Sequence, residues 1–348
     1  MSSDIFQRFS SLKVAVLSGG ESEERAVSLK SGAAVAAALE RLGHSVTNLD
    51  PADVELASFD WSTIDVTFLA LHGRFGEDGT LQALLDRAGV PYTGSGAQAS
   101  RLAFSKSASK ERFLQCRVPT PPYVLIHASD DASRVGRLAQ QIGYPLVIKP
   151  DRQGSSLGVS IVDTPSDLPE ALSRCFALDD FGLVESAIVG GEWTVGLFDE
   201  LVLPPILIET ERPFYDYRAK YEDDATSYRF EFSLPPHIVD SIADVAVRAG
   251  QALGTRGLCR VDIRLDEQSS PWVLEVNTIP GMTDHSLVPK AAWRMGISFE
   301  SLCQRAIESC LAPKAGSAQL ALAGHPAIRA PFGPFLANSR NSESVRRR

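Results

Sequence analysis

The chain has 348 residues and a formal net charge of −9 at pH 7, with 44% hydrophobic and 22% charged residues. This is the composition of an ordinary globular protein with material for two or three buried cores, which excludes a disordered chain and a disulfide-stapled miniprotein. The acidic balance argues against nucleic acid, no apolar run nears the roughly 20 residues of a membrane span, and MSSDIFQRFSSLK lacks a signal-peptide core, so a cytoplasmic location is expected.

In chain order, KVAVLS (13–18) reads as a strand that ends at Gly19-Gly20. A helix is expected from about Val27 to Leu42, stopped by Gly43. SVTNLD is a second strand, and DVTFLALHG is a third, apolar enough for burial on both faces. The turn Gly76-Glu77-Asp78-Gly79 leads to a helix ending near Ala88. This β-α-β-β-α order predicts a doubly wound α/β unit over residues 1–98.

A helix over 99–115 and the proline-rich VPTPP open a second unit, 99–191. It holds a helix over 131–142, the strand YPLVIKP, a Gly-Ser loop, the strand GVSIV, a helix over 167–177 and the strand GLVES. A third unit, 192–314, starts with the strands EWTVGLF and VLPPILIE and a polar aromatic loop over 213–228. A helix over 236–253, the strands RVDIRL and WVLEVNT, and a helix over 298–311 complete it, an α+β pattern. Residues 315–348 lack periodicity and read as a disordered tail, with partner binding as the other reading. The tail carries five arginines against one glutamate, so the body is more acidic than the whole. The five cysteines form no CxxC pair and read as free thiols.

Chemistry is most legible in RVDIRL and WVLEVNT. Residues two apart on a strand share a face, so Arg260 points with Asp262, and Glu275 with Asn277. Paired in a hairpin, they gather two carboxylates, an amide oxygen and a guanidinium, with Val261, Leu274 and Val276 on the other face. Hard oxygen donors suit Mg²⁺, and the arginine suits a transferring phosphoryl group. A solvated face with a surface ion pair fits the same residues. The stretch from Lys149 to Gly158 has glycines and hydroxyls suited to phosphate, but also suits a plain hairpin tip. Gly19 to Ser28 suits an anion site, or acids favoured at a helix start. His72 ends the third strand, where ligands of open α/β sheets bind, though a lone histidine there is often structural. Tyr215 to Tyr221 suits a lid or an ordered surface loop.

Seven stretches together carry a resemblance: GGESEERAVSLKSG, LHGRFGEDGTLQALLD, PYTGSG, VIKPDRQGSSLGVS, YDYRAKY, RVDIRLD and LEVNTIPGMTDHSLVP. In order and content they resemble the D-alanine–D-alanine ligases, ATP-grasp enzymes that join a carboxylate to an amine. The resemblance implies an ATP-grasp fold behind an N-terminal Rossmann-like (preATP-grasp) domain, with ATP between two antiparallel sheets. It implies ligation of two D-alanines through a D-alanyl phosphate, with release of ADP and phosphate, for peptidoglycan precursors. It also implies two Mg²⁺ or Mn²⁺ ions and a homodimer.

Roles follow position by position. Asp262, Glu275 and Asn277 are similar to the family's metal ligands, and Arg260 and the backbone near Gly281 to its oxyanion donors. Lys106, Lys149 and Lys220 would contact ATP phosphates, with Ser156 in the closing loop. Glu185 and Glu192 would hold adenine and ribose. Glu24 and His72 resemble the residues holding the first D-alanine, and Ser286 and Leu287 those receiving the second one's carboxylate. Glu24, Ser155 and Tyr221 would form a hydrogen-bonded triad, and Tyr221 favours an amine over D-lactate as acceptor. The chain differs from the usual family pattern at Gln153, where Glu is common, and at RFEFSLPP after Tyr228.

Overall fold

The computed structural model describes residues 11–212, 226–283 and 286–311, which belong to one compact unit. The tail expected from Ala315, and Lys220 and Tyr221 of the expected lid, lie outside the described residues. Among the described residues the fold contains three sheets.

The first has the order β2-β1-β3, all parallel, from β1 (Lys13–Leu17), β2 (Ser45–Leu49) and β3 (Val66–Leu69). Val14 to Leu17 are fully buried, as a central parallel strand requires. Helices α1 (Arg25–Arg41) and α2 (Thr80–Ala88) follow the predicted alternation.

The helix expected over 99–115 is two: α3 (Ala97–Phe104) and α4 (Lys106–Gln115). Ser105 between them is extended, and its hydroxyl accepts from the Ala108 amide as the cap of α4. The buried Asp151 carboxylate fixes this break from outside. It accepts from Ser105 Oγ at 2.9 Å and from the Ser107 amide at 2.7 Å.

The second sheet is antiparallel, order β4-β7-β5-β6, from β4 (Tyr123–His127), β5 (Leu146–Pro150), β6 (Ser160–Val162) and β7 (Phe181–Ser186). Helices α5 (Ala132–Ile142) and α6 (Leu168–Phe176) cover one face around Val135, Ala139, Ile148 and Cys175. Strand β4 was not anticipated. It is a sheet edge with one fully buried residue, Ile126, so its sequence gives little periodic signal.

The third sheet runs β11-β10-β8-β12-β13, with β9 also pairing to β8. Its strands are β8 (Glu192–Phe198), β9 (Leu201–Val202), β10 (Ile206–Glu209), β11 (Ser227–Arg229), β12 (Leu258–Leu265) and β13 (Pro271–Asn277). The single strand expected at VLPPILIE is split because Pro204 and Pro205 offer no amide to a ladder. The end of the expected 213–228 loop is β11, paired with β10. Helix α7 (Pro236–Leu253) packs Ile242, Val245 and Ala249 on this sheet.

Two helices close the described chain: α8 (Leu287–Arg294), not anticipated, and α9 (Phe299–Leu311). Leu302, Cys303, Ala306 and Ile307 of α9 share a core with Val14, Val35, Leu39 and Phe68 of the first sheet and α1. Arg41 and Glu300 pair at 2.8 Å across the same contact. Among the described residues no helix is long and apolar enough to cross a membrane.

Gly190 joins the second sheet to the third. Its φ is +143°, and a Cβ there would lie 1.9 Å from the Leu265 carbonyl oxygen. We expect Gly190→Ala to lower stability by more than about 2 kcal/mol in urea unfolding, since strain and a backbone clash add. An unchanged midpoint would overturn this.

Candidate active site

The β12–β13 hairpin pairs Arg260 with Asn277 and Asp262 with Glu275, the expected juxtaposition. Immediately beyond, the register shifts so that Ile263 faces Val273 and Leu274 is left over. The bulge corrects the expectation for Leu274: Val273 and Val276 are buried, while Leu274 is half-buried. It also ends simple alternation right beside the polar cluster.

Asp262 is 9% exposed, so the solvated-face reading does not hold. Arg260 grips it with a fork, Nε to Oδ1 and NH2 to Oδ2, both at 2.9 Å. Thr194 on β8 donates to Oδ1 at 2.7 Å. Glu275 Oε2 lies 3.3 Å from Lys106 Nζ, which donates to the Gln153 carbonyl at 2.6 Å. The Asn277 side-chain oxygen accepts from the Ile279 amide at 3.0 Å. Lys106 is the first residue of α4, so the Ser105 break aims it at the hairpin.

The loop between β5 and β6 reaches the end of α1. Ser155 and Ser156 are left-handed, with φ of 49° and 59°. Ser155 Oγ donates to Glu24 in a short hydrogen bond, one limb of the expected triad. A side chain at Gly154 would bring Cβ within 2.6 Å of Glu24 Oε2, so the carboxylate would have to shift from its place beside Ser155.

Beside Glu24 lie His72 and Glu77, both buried. Burial pushes the imidazole pKa down, the Glu24 charge opposes that, and Arg260 adds to it. Its Nε2 meets no hydrogen-bond partner among the described residues. Glu77 accepts from the Gly73 amide at 2.7 Å. Burial, then the neighbouring Glu24 charge, raises its pKa to about 8. The sequence analysis assigns Glu77 no role; its only mark in LHGRFGEDG is that of an acid inside an otherwise glycine-rich turn.

The folded protein holds the Glu77 proton to about pH 8, while an unfolded carboxyl releases it near 4.5. This group's contribution to stability therefore falls as pH rises through that window. Glu77→Gln keeps an acceptor for Gly73 and removes the titration. We expect the variant to gain on the parent by on the order of 3 kcal/mol between about pH 5 and 8, measured by urea unfolding. The same difference at both pH values would overturn the assignment.

A second polar group lies in the second sheet. Lys149 Nζ donates to Glu185 Oε1 at 2.8 Å, and Lys110 Nζ stands 2.7 Å from Oε2. Lys110 is fully buried and was missed, because its partner lies on a distant strand and nothing in the sequence joins them. Glu192 pairs with Arg264 at 2.8 Å on the neighbouring strand.

A cleft of about 1390 Å³ brings together Glu24, His72, Lys106, Ser155, Arg260, Glu275, Asn277, Gly281, Ser286 and Leu287. Ser286 starts α8 and its Oγ accepts from the Thr283 amide at 3.0 Å. A Cβ on Gly281 would stand 2.8 Å from that Oγ, so the two meet closely. Lys149, Ser156, Glu185, Glu192 and Asp262 do not line this cleft.

Among the described residues, no three His, Cys, Asp or Glu side chains converge as a metal site. What converges is two carboxylates and an amide oxygen, with Arg260 and Lys106 held against the acids. This set fits a hard divalent cation that takes its remaining ligands from phosphate and water. It does not fit a metal held wholly by protein.

Comparison with known proteins gives a consistent picture. The family model described as "D-ala D-ala ligase C-terminus" matches residues 113–308, and "D-ala D-ala ligase N-terminus" matches 47–95. The D-alanine–D-alanine ligase of Marinobacter nauticus is 46% identical, over 86% of this chain and 91% of its own. That of Gloeobacter violaceus is 44% identical, over 86% of this chain and 100% of its own. The crystal structure of the Bacillus anthracis enzyme complexed with ATP matches with TM-score 0.75 and 31% identity, over 86% of this chain and 98% of its own. D-alanyl-alanine synthetase A from Vibrio cholerae matches with TM-score 0.78 and 26% identity, over 88% and 100%.

Proposed function

The chain belongs to the D-alanine–D-alanine ligase family, with its ATP-grasp fold, and from that premise we propose how its residues carry the reaction. The protein ligates two D-alanines with ATP, a step of cell-wall synthesis. A free carboxylate is a poor acyl donor to an amine, so activation must come first. One carboxylate oxygen of the first D-alanine attacks the γ-phosphorus, and the bond to the β–γ bridging oxygen breaks. ADP leaves, and an acyl phosphate remains. The amine of the second D-alanine attacks the acyl carbon. The tetrahedral intermediate loses a proton from nitrogen and expels phosphate.

The single observation that carries this reading is the cross-strand cluster Arg260–Asn277 and Asp262–Glu275 facing Lys106. Asp262, Glu275 and Asn277 would hold Mg²⁺ or Mn²⁺, two ions as in the family reading. The ions would supply charge neutralisation at the phosphates. Lys106 would turn from Glu275 to phosphate, with Lys149, Lys220 and Ser156 as further phosphate contacts. Glu185 and Glu192 would receive adenine and ribose. Glu24 would hold the first D-alanine's ammonium, with His72 beside its carboxylate. Arg260 and the Gly281 backbone would donate to the oxyanion. Ser286 and the Leu287 amide, at the start of α8, would take the second D-alanine's carboxylate. Ser155 and Tyr221 would tie the closing segments to Glu24. The reading also includes three domains with boundaries near 98 and 191, a cytoplasmic homodimer, and an amine rather than a hydroxyl as acceptor.

The test is ATP-dependent product formation with D-alanine and Mg²⁺, read by phosphate release and product mass. D-alanyl-D-alanine with stoichiometric phosphate is expected. No phosphate with any D-amino acid, or preference for D-lactate as second substrate, would overturn the reading.

A further inference from the structure

One buried group is left without a task by the reaction above: the ammonium of Lys110. It is the fifth residue of α4, at the start of the second turn, and fully enclosed. Nζ donates to Thr120 Oγ1 at 2.6 Å, and that hydroxyl donates to the Val273 carbonyl at 2.8 Å. The Tyr123 ring covers it at 5.4 Å. These contacts come from the β4 approach and from β13, so Lys110 is held by rigid parts on each side.

Its partner Glu185 is 2% exposed and sits between two ammonium groups. Burial raises a carboxyl's pKa, but Lys110 and Lys149 outweigh it and hold Glu185 below the usual range. Lys149 donates to Oε1 at 2.8 Å and Lys110 pairs with Oε2 at 2.7 Å, so each oxygen has its own ammonium. Each oxygen keeps a further lone pair, so another donor can take the place of an ammonium that leaves.

We propose that Lys110 is a positioning residue for nucleobase selection: it keeps Glu185 ionised and in place while Lys149 is released to a phosphate and the base amine takes the vacated oxygen. The inference rests on Glu185 and Lys149 meeting ATP as stated under Proposed function. Two lysines on one buried carboxylate then form an exchange pair. Lys149, at the end of β5, is the mobile partner, since its other neighbour would be ATP. Lys110 is the fixed one. Without it, Lys149 could leave only by abandoning a buried, unpaired carboxylate, which is strongly unfavourable. A neutralised or displaced Glu185 would no longer distinguish an amine from a carbonyl on the base.

The experiment compares ATP with inosine triphosphate, which has a carbonyl where adenine has the amine, for parent and Lys110→Met. Phosphate release is followed with saturating D-alanine. The parent should prefer ATP. In Lys110→Met, KM for ATP should rise by roughly tenfold with a smaller change in kcat, and the ATP-to-inosine preference should fall by a similar factor, the scale of one charge-assisted hydrogen bond. Thr120→Val leaves the charge and removes its anchor, so it should move the preference in the same direction by less. It also serves if Lys110→Met fails to fold. A fall in rate with unchanged preference in the folded variants would overturn the role of Lys110 alone. A parent that uses both nucleotides equally would overturn the base-reading role of Glu185 and the inference with it.

Discussion

Glu275→Gln should lower kcat for D-alanyl-D-alanine formation by roughly 10³-fold, several kcal/mol of transition-state stabilisation. Glutamine keeps the shape of Glu275 but removes the charge that faces Lys106 at 3.3 Å and lies across from Asp262. The fold should survive. The Glu275 side chain is 30% exposed, and Lys106 keeps the Gln153 carbonyl as an acceptor when the charge is removed. Phosphate release dependent on D-alanine reads the activity, and urea unfolding reads the fold. Turnover within a factor of ten of the parent would remove Glu275 from the metal set.

Arg260→Lys is the second large effect. Lysine keeps the positive charge and loses the two-pronged grip on Asp262. If Arg260 donates to the tetrahedral oxyanion, kcat should drop by roughly 10²- to 10³-fold, the range of one oxyanion donor. KM for ATP should move little, because the loss falls on a charge that exists only after phosphate transfer to the first substrate. A variant that raises KM for ATP and spares kcat would instead place Arg260 on the nucleotide.

The sequence was most informative where chemistry depends on strand alternation. Arg260, Asp262, Glu275 and Asn277 face one another because their spacing is two and their strands pair directly. The parallel sheet was legible because Val14 to Leu17 and Val66 to Leu69 are buried on both faces. Features that depend on distant contacts were not legible. The break at Ser105 is set by Asp151 together with the Ser105 cap, and one serine inside a helical stretch rich in serine does not mark it out. The Leu274 bulge shows only when the two strands are laid side by side. The Lys110–Glu185 pair joins α4 to β7, and a lysine in a helix normally reads as a solvated one. Glu77 is similar: an acid in a turn reads as surface charge until burial is known. The resemblance supplied roles for residues that spacing alone left open, but it did not supply these four.

The packing of α9 on the first sheet has a consequence for how the protein comes into being. Leu302, Cys303, Ala306 and Ile307 fill a core whose other half is Val14, Val35, Leu39 and Phe68. During synthesis the first half emerges from the ribosome long before the second is translated. Until then the apolar surface that α1 and the opening sheet present to α9 lacks that part of its cover, the situation in which nascent chains recruit chaperones or associate wrongly. The last helix of the body is therefore the step that completes the first module. A chain ended before Phe299 would not merely be shorter: its earliest-made part would be the one left unfinished.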